Sequence, residues 1–507
     1  MKENIKKNAL KNSSWNFLAT LSNRIGGLIF TIILARFLLP ENFGVYSIVI
    51  SVAMIFFTFA DLGVNGSLVR YLSFSLAKEK SKAPSYYRYL LKIKLIFALI
   101  ASVALLIFAY PIAFSIYKNP ALFQPIIVCA LYIFVLSFEN FYSQLFYASE
   151  HVKYMSIKEF LHQSVRIILA FFVFYFVTSS YQIIGIIMAL ILTTLVMIIF
   201  VIYYTSKLIP NIYKKPKQDI DKKRIRKFLG FLTIASISSV FFSYIDSLML
   251  GFFTPAEFVG YYRASFSLVF GVIGLASFSN LIFLPVFTKL KKEQTCRVLN
   301  SAFKYISLVS IPAVFGVFIL GKYFVKILYG QSYLPASLSL QFLSFLIFPA
   351  VSIGLFLSLF SAEEKPQIFA KLIIISSIIN IILNYVLIKS FLSISPIWAT
   401  AGAAIATLIS WIFYFISSVY AIKKDIHISL SLKPVVKPLI ASILMSAAIL
   451  LIMHKISDIN LFTGALIIAI GFLIYCFLIF VLDKELKNEI IKIIKNESKR
   501  KSIKKTL

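Results

Sequence analysis

Charge is scarce in this 507-residue chain. Asp, Glu, Lys and Arg make up 14% of it, against about 25% in an ordinary soluble domain. Acids are scarcest, with 20 Asp and Glu against 51 Lys and Arg, and the net charge is +31. Cys129, Cys296 and Cys476 are far apart and form no Cys-x-x-Cys pair, so neither a disulfide framework nor a cysteine zinc site is expected. The four histidines (His151, His162, His427, His454) are scattered, which gives a metal enzyme little support. No Walker run or dinucleotide fingerprint is present and no soluble segment could carry one. Neither direct ATP coupling nor any cofactor is expected.

What the chain has is apolar sequence, 60% of its residues. It recurs in blocks of about 20–28 residues, and about 20 in a helix cross the roughly 30 Å of bilayer hydrocarbon. The blocks predict an all-α membrane protein with about 14 spans: 13–38, 44–69, 90–114, 123–147, 156–178, 181–205, 228–250, 258–285, 299–320, 333–360, 367–388, 396–421, 434–454 and 461–482. The first block is too long for a signal-peptide core and no cleavage site follows it, so it reads as the first span. With the N-terminus in the cytoplasm, alternation places 41 of the 51 Lys and Arg on the cytoplasmic side. Positive loops stay inside, so an even number of spans with both termini cytoplasmic is expected, in a cytoplasmic (inner or plasma) membrane. The cations form no single patch, which argues against nucleic acid as a partner.

The chain also repeats itself. Leu34-Ala-Arg-Phe-Leu-Leu-Pro-Glu-Asn-Phe-Gly-Val-Tyr46 and Leu250-Gly-Phe-Phe-Thr-Pro-Ala-Glu-Phe-Val-Gly-Tyr-Tyr262 each join the first two spans of a unit, about 215 residues apart. Pro40 matches Pro255, and Gly44-x-Tyr46 matches Gly260-x-Tyr262 with one insertion. Six spans per unit give both units one orientation, hence parallel repeats about an axis normal to the membrane. The expected parts are a six-helix lobe over 1–205, a basic linker over 206–227, a second six-helix lobe over 228–425, two added spans over 426–483 and a basic tail over 484–507. Pro is expected to stop each helix at the hairpin and Gly to free the turn. The tail mixes Ile with Lys and could lie on anionic headgroups or be solvated.

Ala35-Arg-Phe-Leu-Leu-Pro-Glu-Asn-Phe-Gly-Val-Tyr46, Asp61-Leu-Gly-Val-Asn-Gly-Ser-Leu-Val-Arg-Tyr71, Ile327-Leu-Tyr-Gly-Gln-Ser-Tyr-Leu-Pro-Ala336 and Ala401-Gly-Ala-Ala-Ile-Ala-Thr407 resemble the oligosaccharide flippases of the polysaccharide transporter family. That family lies within the multidrug/oligosaccharidyl-lipid/polysaccharide exporter superfamily. The resemblance covers residues 10–425. It implies two six-helix lobes in a V-shaped, MATE-like arrangement that carry a polyprenyl-linked sugar.

Ionisable residues inside apolar blocks are expensive and should face a cavity or a partner. Arg24 lies mid-span, and a guanidinium fork suits phosphate oxygens. It is expected either to hold a pyrophosphate in a cavity or to pair with Asp61. Glu159, His162, Gln163 and Arg166 share one face of the fifth span, and Glu139, Ser143 and Glu150 lie near one stripe of the fourth. They form either a polar cavity wall, with Arg166 on the headgroup, or a salt-bridge network between the two spans. Asp246 and Arg263 are expected to pair, with an external gate or a coupling acid at Asp246 as the alternative. Arg36 and Arg70 are expected to snorkel to the interface. Asn380 and Asn384 could bind sugar hydroxyls, but interhelical hydrogen bonding is favoured, and Ala399, Gly402, Ala403 and Ala406 read as a close-packing stripe.

The expected cargo is a lipid-linked oligosaccharide. Arg24, Arg166 and Arg263 are the candidate cavity cations. Asp61, Glu139, Glu159, His162, Asp246, Asn380 and Asn384 are the candidate coupling or cavity polar groups. Energy would come from H+, Na+ or the membrane potential, with Asp61 and Glu139 as first candidates for the coupling acid. Expected partners are membrane lipids and other polysaccharide-assembly proteins. A cation exporter would need an acidic cavity, a lipid II flippase is a closer relative, and a glycan polymerase or ligase would need larger external loops than these.

Overall fold

A computed structural model describes residues 2–215, 218–276, 280–454, 460–483 and 486–488. The tail proposed for 484–507 lies almost wholly outside the described residues. Among those described there are helices, short 3-10 and π turns, and no strand. They are α1 (Lys2–Asp61), α2 (Val64–Lys78), α3 (Ala83–Tyr110), α4 (Phe123–Ala148), α5 (Val152–Phe176), α6 (Gln182–Leu208), α7 (Lys222–Phe253), α8 (Ala256–Ala276), α9 (Asn280–Phe287), α10 (Lys292–Tyr329), α11 (Ala336–Ser344), α12 (Ile347–Ala362), α13 (Pro366–Leu392), α14 (Pro396–Ala421), α15 (Val436–His454) and α16 (Leu461–Leu482). Only a helix or a closed barrel satisfies its own backbone in hydrocarbon, so apolar blocks of this length become helices.

Eleven continuous helical segments of the described chain are long and apolar enough to cross a membrane, or twelve with the α11–α12 pair, bent by 45°, taken as one. The chain is a multi-pass membrane protein. The first of these segments, Ser14–Lys78, has 65 residues, about 98 Å at 1.5 Å per residue, which exceeds a single crossing. It breaks at Leu39, whose φ of 62° and ψ of 170° are not helical. Leu39 precedes Pro40, which cannot donate a helical hydrogen bond.

Local signals set the helix starts. Pro stands in the first turn of α3, α13 and α14, where its missing N–H is no loss. Ser395 caps α14 through Trp398 N, and Asn460 caps α16 in a reciprocal box with Thr463. The basic linker is no free tether. Ile209, Ile212, Ile220 and Ile225 are buried in a second apolar cluster with Val64, Leu68, Leu72, Leu90 and Phe141. Gln218 accepts from Ser81 (3.0 Å) and, through its backbone carbonyl, from Ser85 (2.6 Å).

The repeated hairpins meet each other, and their glycines play a different part from the one expected. Gly44 and Gly260 are both helical, and the glycines with positive φ among the described residues are Gly63 and Gly330. A Cβ on Gly44 would sit 1.7 Å from the Ala256 carbonyl oxygen, and one on Gly260 would sit 2.2 Å from that of Pro40. Each carbonyl lies four residues before the glycine of its own helix, so this is one contact seen from both repeats. The glycines let two backbones touch.

The same seam continues inward. Leu28 lies over Gly271 and Arg24 over Gly274, while Ile48 lies over Gly251. Residue numbers rise on one partner as they fall on the other, so α8 runs antiparallel to the first half of α1, and α7 to its second half.

In the second repeat, α13 and α14 pack closely. A Cβ on Gly402 would lie 2.7 Å from the Leu387 carbonyl oxygen, and Ala399, Ala403 and Ala406 are fully buried, as the small-residue stripe predicts. Gly402→Val is therefore expected to destabilise by about 2 kcal/mol or more through overpacking. Gly316→Ala, where nothing lies within 4 Å of the new methyl, should be neutral or stabilising by about 0.5 kcal/mol. Thermal unfolding in detergent measures both.

Candidate functional site

Three guanidinium groups from three helices line one cavity. It measures about 530 Å³ and is walled by α1, α4, α5, α6, α7 and α8, so both repeats build it. Cavities of this size, within the range of about 300–1,000 Å³, hold small ligands or headgroups. Arg24 comes from the first half of α1, Arg166 from α5 and Arg263 from α8. Asn23, Thr31, Tyr46, Ser47, Tyr132, Tyr244 and Ser267 add polar groups, and no Asp or Glu is among the lining residues.

Each cation is held by aromatic or apolar surface. The Arg166 guanidinium stands over the Phe30 ring, 4.3 Å from its centroid, and its Nε is buried without a hydrogen-bond partner. Arg263 sits between Tyr244 (5.4 Å) and Phe266 (5.1 Å). The aliphatic stem of Arg24 lies on Gly274 across the seam. Stacked in this way, the guanidinium edges stay available to a ligand. Among the described residues no carboxylate lies within ion-pair distance of any of the three.

The acids expected near them are paired elsewhere. Asp61 does not meet Arg24. It accepts from Lys94 at 2.9 Å and from the backbone N–H of Asn65. Lys94 has no exposed surface and stands over Phe57. On α5, Lys158 lies between Glu139 of α4 (2.5 Å) and Glu159 (2.6 Å). Ser143 donates to Glu139, and Asn23 donates to Glu159 at 2.9 Å. Of the two readings of this face, the polar residues nearest the α5 start form the interhelical ion network, and Arg166, further along, reaches the cavity. His162 lies beside this network, half-buried, its Nδ1 without a partner. Gln163 packs on Gly26.

Lys94 and Lys158 fall just inside the basic ends of the third and fifth expected spans, 90–114 and 156–178, where a cation counts with the loop charge. Both are buried inside helices. Asp61 and Glu139, the acids they meet, each lie one span away, and those pairings are visible only once the helices are packed.

Asp246 does not pair with Arg263. It is buried between α7, α8, α13 and α14 and accepts from Tyr262 (2.6 Å), Thr407 (2.8 Å) and Asn384 (2.6 Å). Asn380 donates to Thr407 at 3.5 Å. The amide oxygens of Asn380 and Asn384 are buried without a partner. Both asparagines thus bond between helices, as favoured, and neither lines the cavity. Arg36 is exposed near the end of its span and also bonds across to α10. Its Nε donates to the carbonyl of Leu328 (2.7 Å) and its Nη2 to that of Ile327 (2.5 Å), at the end of α10.

Removing Lys158 would leave two carboxylates in the protein interior with no cation. Lys158→Met is expected to cost about 3–5 kcal/mol, read as a lower unfolding temperature in detergent. Adding Glu139→Gln and Glu159→Gln to it should restore most of the loss.

Comparison with known proteins places this geometry in a family. The chain is 27% identical over 203 residues to a protein of Haloferax volcanii named as a probable low-salt glycan biosynthesis flippase, covering 39% of this chain and 41% of that one. It is 24% identical over 436 residues to a putative O-antigen transporter of Shigella flexneri, covering 81% of this chain and 99% of that one. The chain therefore aligns with about two fifths of the first relative and nearly all of the second. Its fold matches a solved structure of the lipid II flippase MurJ in an inward closed conformation, with a TM-score of 0.74 at 17% identity, covering 92% of this chain and 98% of that one. It also matches an inward-facing MATE family multidrug transporter of the MOP superfamily, with a TM-score of 0.61 at 14% identity, covering 80% and 94%. Residues 9–291, more than half of the chain, match the family model described as polysaccharide biosynthesis protein, and the chain belongs to that family.

Proposed function

We propose that this protein is a flippase that carries lipid-linked oligosaccharides across the cytoplasmic membrane by alternating access. The observation that carries the reading is the central cavity itself, with three guanidinium groups, no lining carboxylate and walls from both repeats. A charge held at that depth is expensive unless it meets water or a counter-charge, and a polyprenyl pyrophosphate headgroup supplies that counter-charge. Guanidinium forks bind phosphate oxygens in pairs, and the tyrosines and serines around them offer hydrogen bonds to sugar hydroxyls. The names of the haloarchaeal and Shigella relatives support the same cargo. An exporter of cationic drugs would be opposed by this charge, and polymerisation would require acids that the cavity lacks.

The basic linker and the basic end of the helices face the cytoplasm by the positive-inside rule, so the Leu39 hairpin lies outside and both termini lie inside. The cavity sits behind the joined hairpins, where a headgroup from the cytoplasmic leaflet would load. Asp61 and Glu139 already have lysine partners, which leaves Asp246 as the better-placed coupling group. A carboxylate so deep needs a proton or a cation to balance it, and the two unpartnered amide oxygens beside it suit Na+ or a protonated partner.

Single Arg24→Ala, Arg166→Ala and Arg263→Ala variants are expected to slow flipping about tenfold or more, measured as lipid-linked glycan retained on the cytoplasmic leaflet of cells lacking the native gene. Wild-type rates in all three would end this reading. Asp246→Asn is expected to remove the dependence of flipping in proteoliposomes on an imposed Na+ or pH gradient while cargo binding persists. An unchanged gradient dependence would place the coupling elsewhere.

A further inference from the structure

The end of α10 is capped from the other repeat. The last four carbonyls of a helix have no partner within it. At the end of α10 the Gly330 N–H, at a φ of 100°, takes the carbonyls of Val325 and Lys326. The carbonyls of Ile327 and Leu328 are taken by the Arg36 guanidinium. A cation at a helix C-terminus also meets the negative end of the helix dipole. Arg36 belongs to the first repeat, one turn before the Leu39 break, whereas α10 belongs to the second.

Other contacts between the repeats gather at the same end. The Tyr117 hydroxyl donates to the Leu248 carbonyl at 3.2 Å. The Gly44 and Gly260 backbones touch, and Phe43 stands edge-on to Tyr333.

We propose that Arg36 is the latch of the external gate. Its fork on the α10 carbonyls holds the repeats together outside, and its release is what lets the cavity open outward. This rests on the alternating-access reading above. The latch differs from an ordinary ion pair because its acceptors are main-chain atoms. The acceptors move only if α10 moves as a body. The geometry also requires arginine. Lysine would place one charge near the dipole but could not bridge two successive carbonyls in a planar fork. On the topology proposed above this end of the helices meets external water, and Arg36 is exposed there, so released carbonyls can be hydrated and the open state stays reachable.

The test reads conformation, not transport. In full-length protein with Cys129, Cys296 and Cys476 replaced by serine, a single cysteine is placed in the cavity by Ser267→Cys. A membrane-impermeant maleimide is then applied to right-side-out and to inside-out vesicles. Arg36→Ala is expected to raise labelling from outside by about tenfold and to lower it from inside, since charge-assisted bonds of this kind shift an equilibrium by that order. Arg36→Lys should fall between Arg36→Ala and the parent. Tyr117→Phe should shift labelling in the same direction by less, which provides a second reading if Arg36→Ala is poorly made.

If Arg36→Ala and Arg36→Lys lower the unfolding temperature while sidedness stays that of the parent, Arg36 is only the cap of α10 and the proposal is overturned. The labelling needs no cargo, so that result would leave the flippase reading standing. Conversely, wild-type flipping by the cavity-arginine variants would not alter the labelling result.

Discussion

Taking a charge out of water into hydrocarbon or packed protein costs several kcal/mol unless something answers it, and that constraint sorts the ionisable residues of this chain. Lys94 answers Asp61, and Lys158 answers Glu139 and Glu159 together. Hydroxyls and an amide surround Asp246. Among the described residues no carboxylate pairs with Arg24, Arg166 or Arg263, and these three share a cavity. The contrast singles out the candidate site better than any one residue does. The carboxylates of Asp61, Glu139 and Glu159 are met by lysines, and the cavity lining holds charge of one sign only.

Placement of those arginines depends on the glycine seam. Backbone contact at Gly44 and Gly260 fixes the outer end of the junction, and Gly271 and Gly274 bring the first half of α1 down onto α8. Arg24 can lie across to the second repeat because no side chain stands at Gly274. Arg166 passes beside Gly27, where an added Cβ would make only ordinary contact, 3.6 Å from its Nη2. Arg263 is one turn beyond Gly260 on the same face that the hairpin contact orients. The residues that carry charge and the residues that have no side chain are thus two halves of one arrangement, and close approach of helices in a membrane commonly uses small residues in this way.

Much of the fold was legible because its signals are local. Apolar blocks of membrane length, basic segments between them and a hairpin repeated some 215 residues apart are all properties of the linear chain. The three cavity cations were legible for a related reason, since an arginine inside an apolar block is conspicuous by cost alone. Pairings were not legible. Asp246 and Arg263 stand near matching ends of adjacent spans, and proximity in the hairpin suggested an ion pair. Tyr262, one residue before Arg263, instead turns to Asp246 while Arg263 turns to the cavity, as a helix rotation of about 100° per residue requires. Lys94 and Lys158 were hidden because a cation near a block edge looks the same whether it snorkels or turns inward. Gly44 was noticed, but for a turn that Leu39 makes.

Motif and mechanism meet at the hairpin. Its proline stops a helix, its glycine lets the repeats touch and its arginine caps a helix of the opposite repeat. A repeat copied in full would have put an arginine at both hairpins, yet the position matching Arg36 is Gly251, where Ile48 and Tyr117 crowd in. The two seams are therefore unequal. One is closed by a charged fork on helix carbonyls, and the other by apolar packing plus a single tyrosine hydroxyl. Under the alternating access proposed above, two halves need their contacts to be separable in order, and exposed polar contacts exchange for water at lower cost than buried apolar ones. The departure from exact symmetry at Arg36 and Gly251 gives the junction a side on which separation can begin.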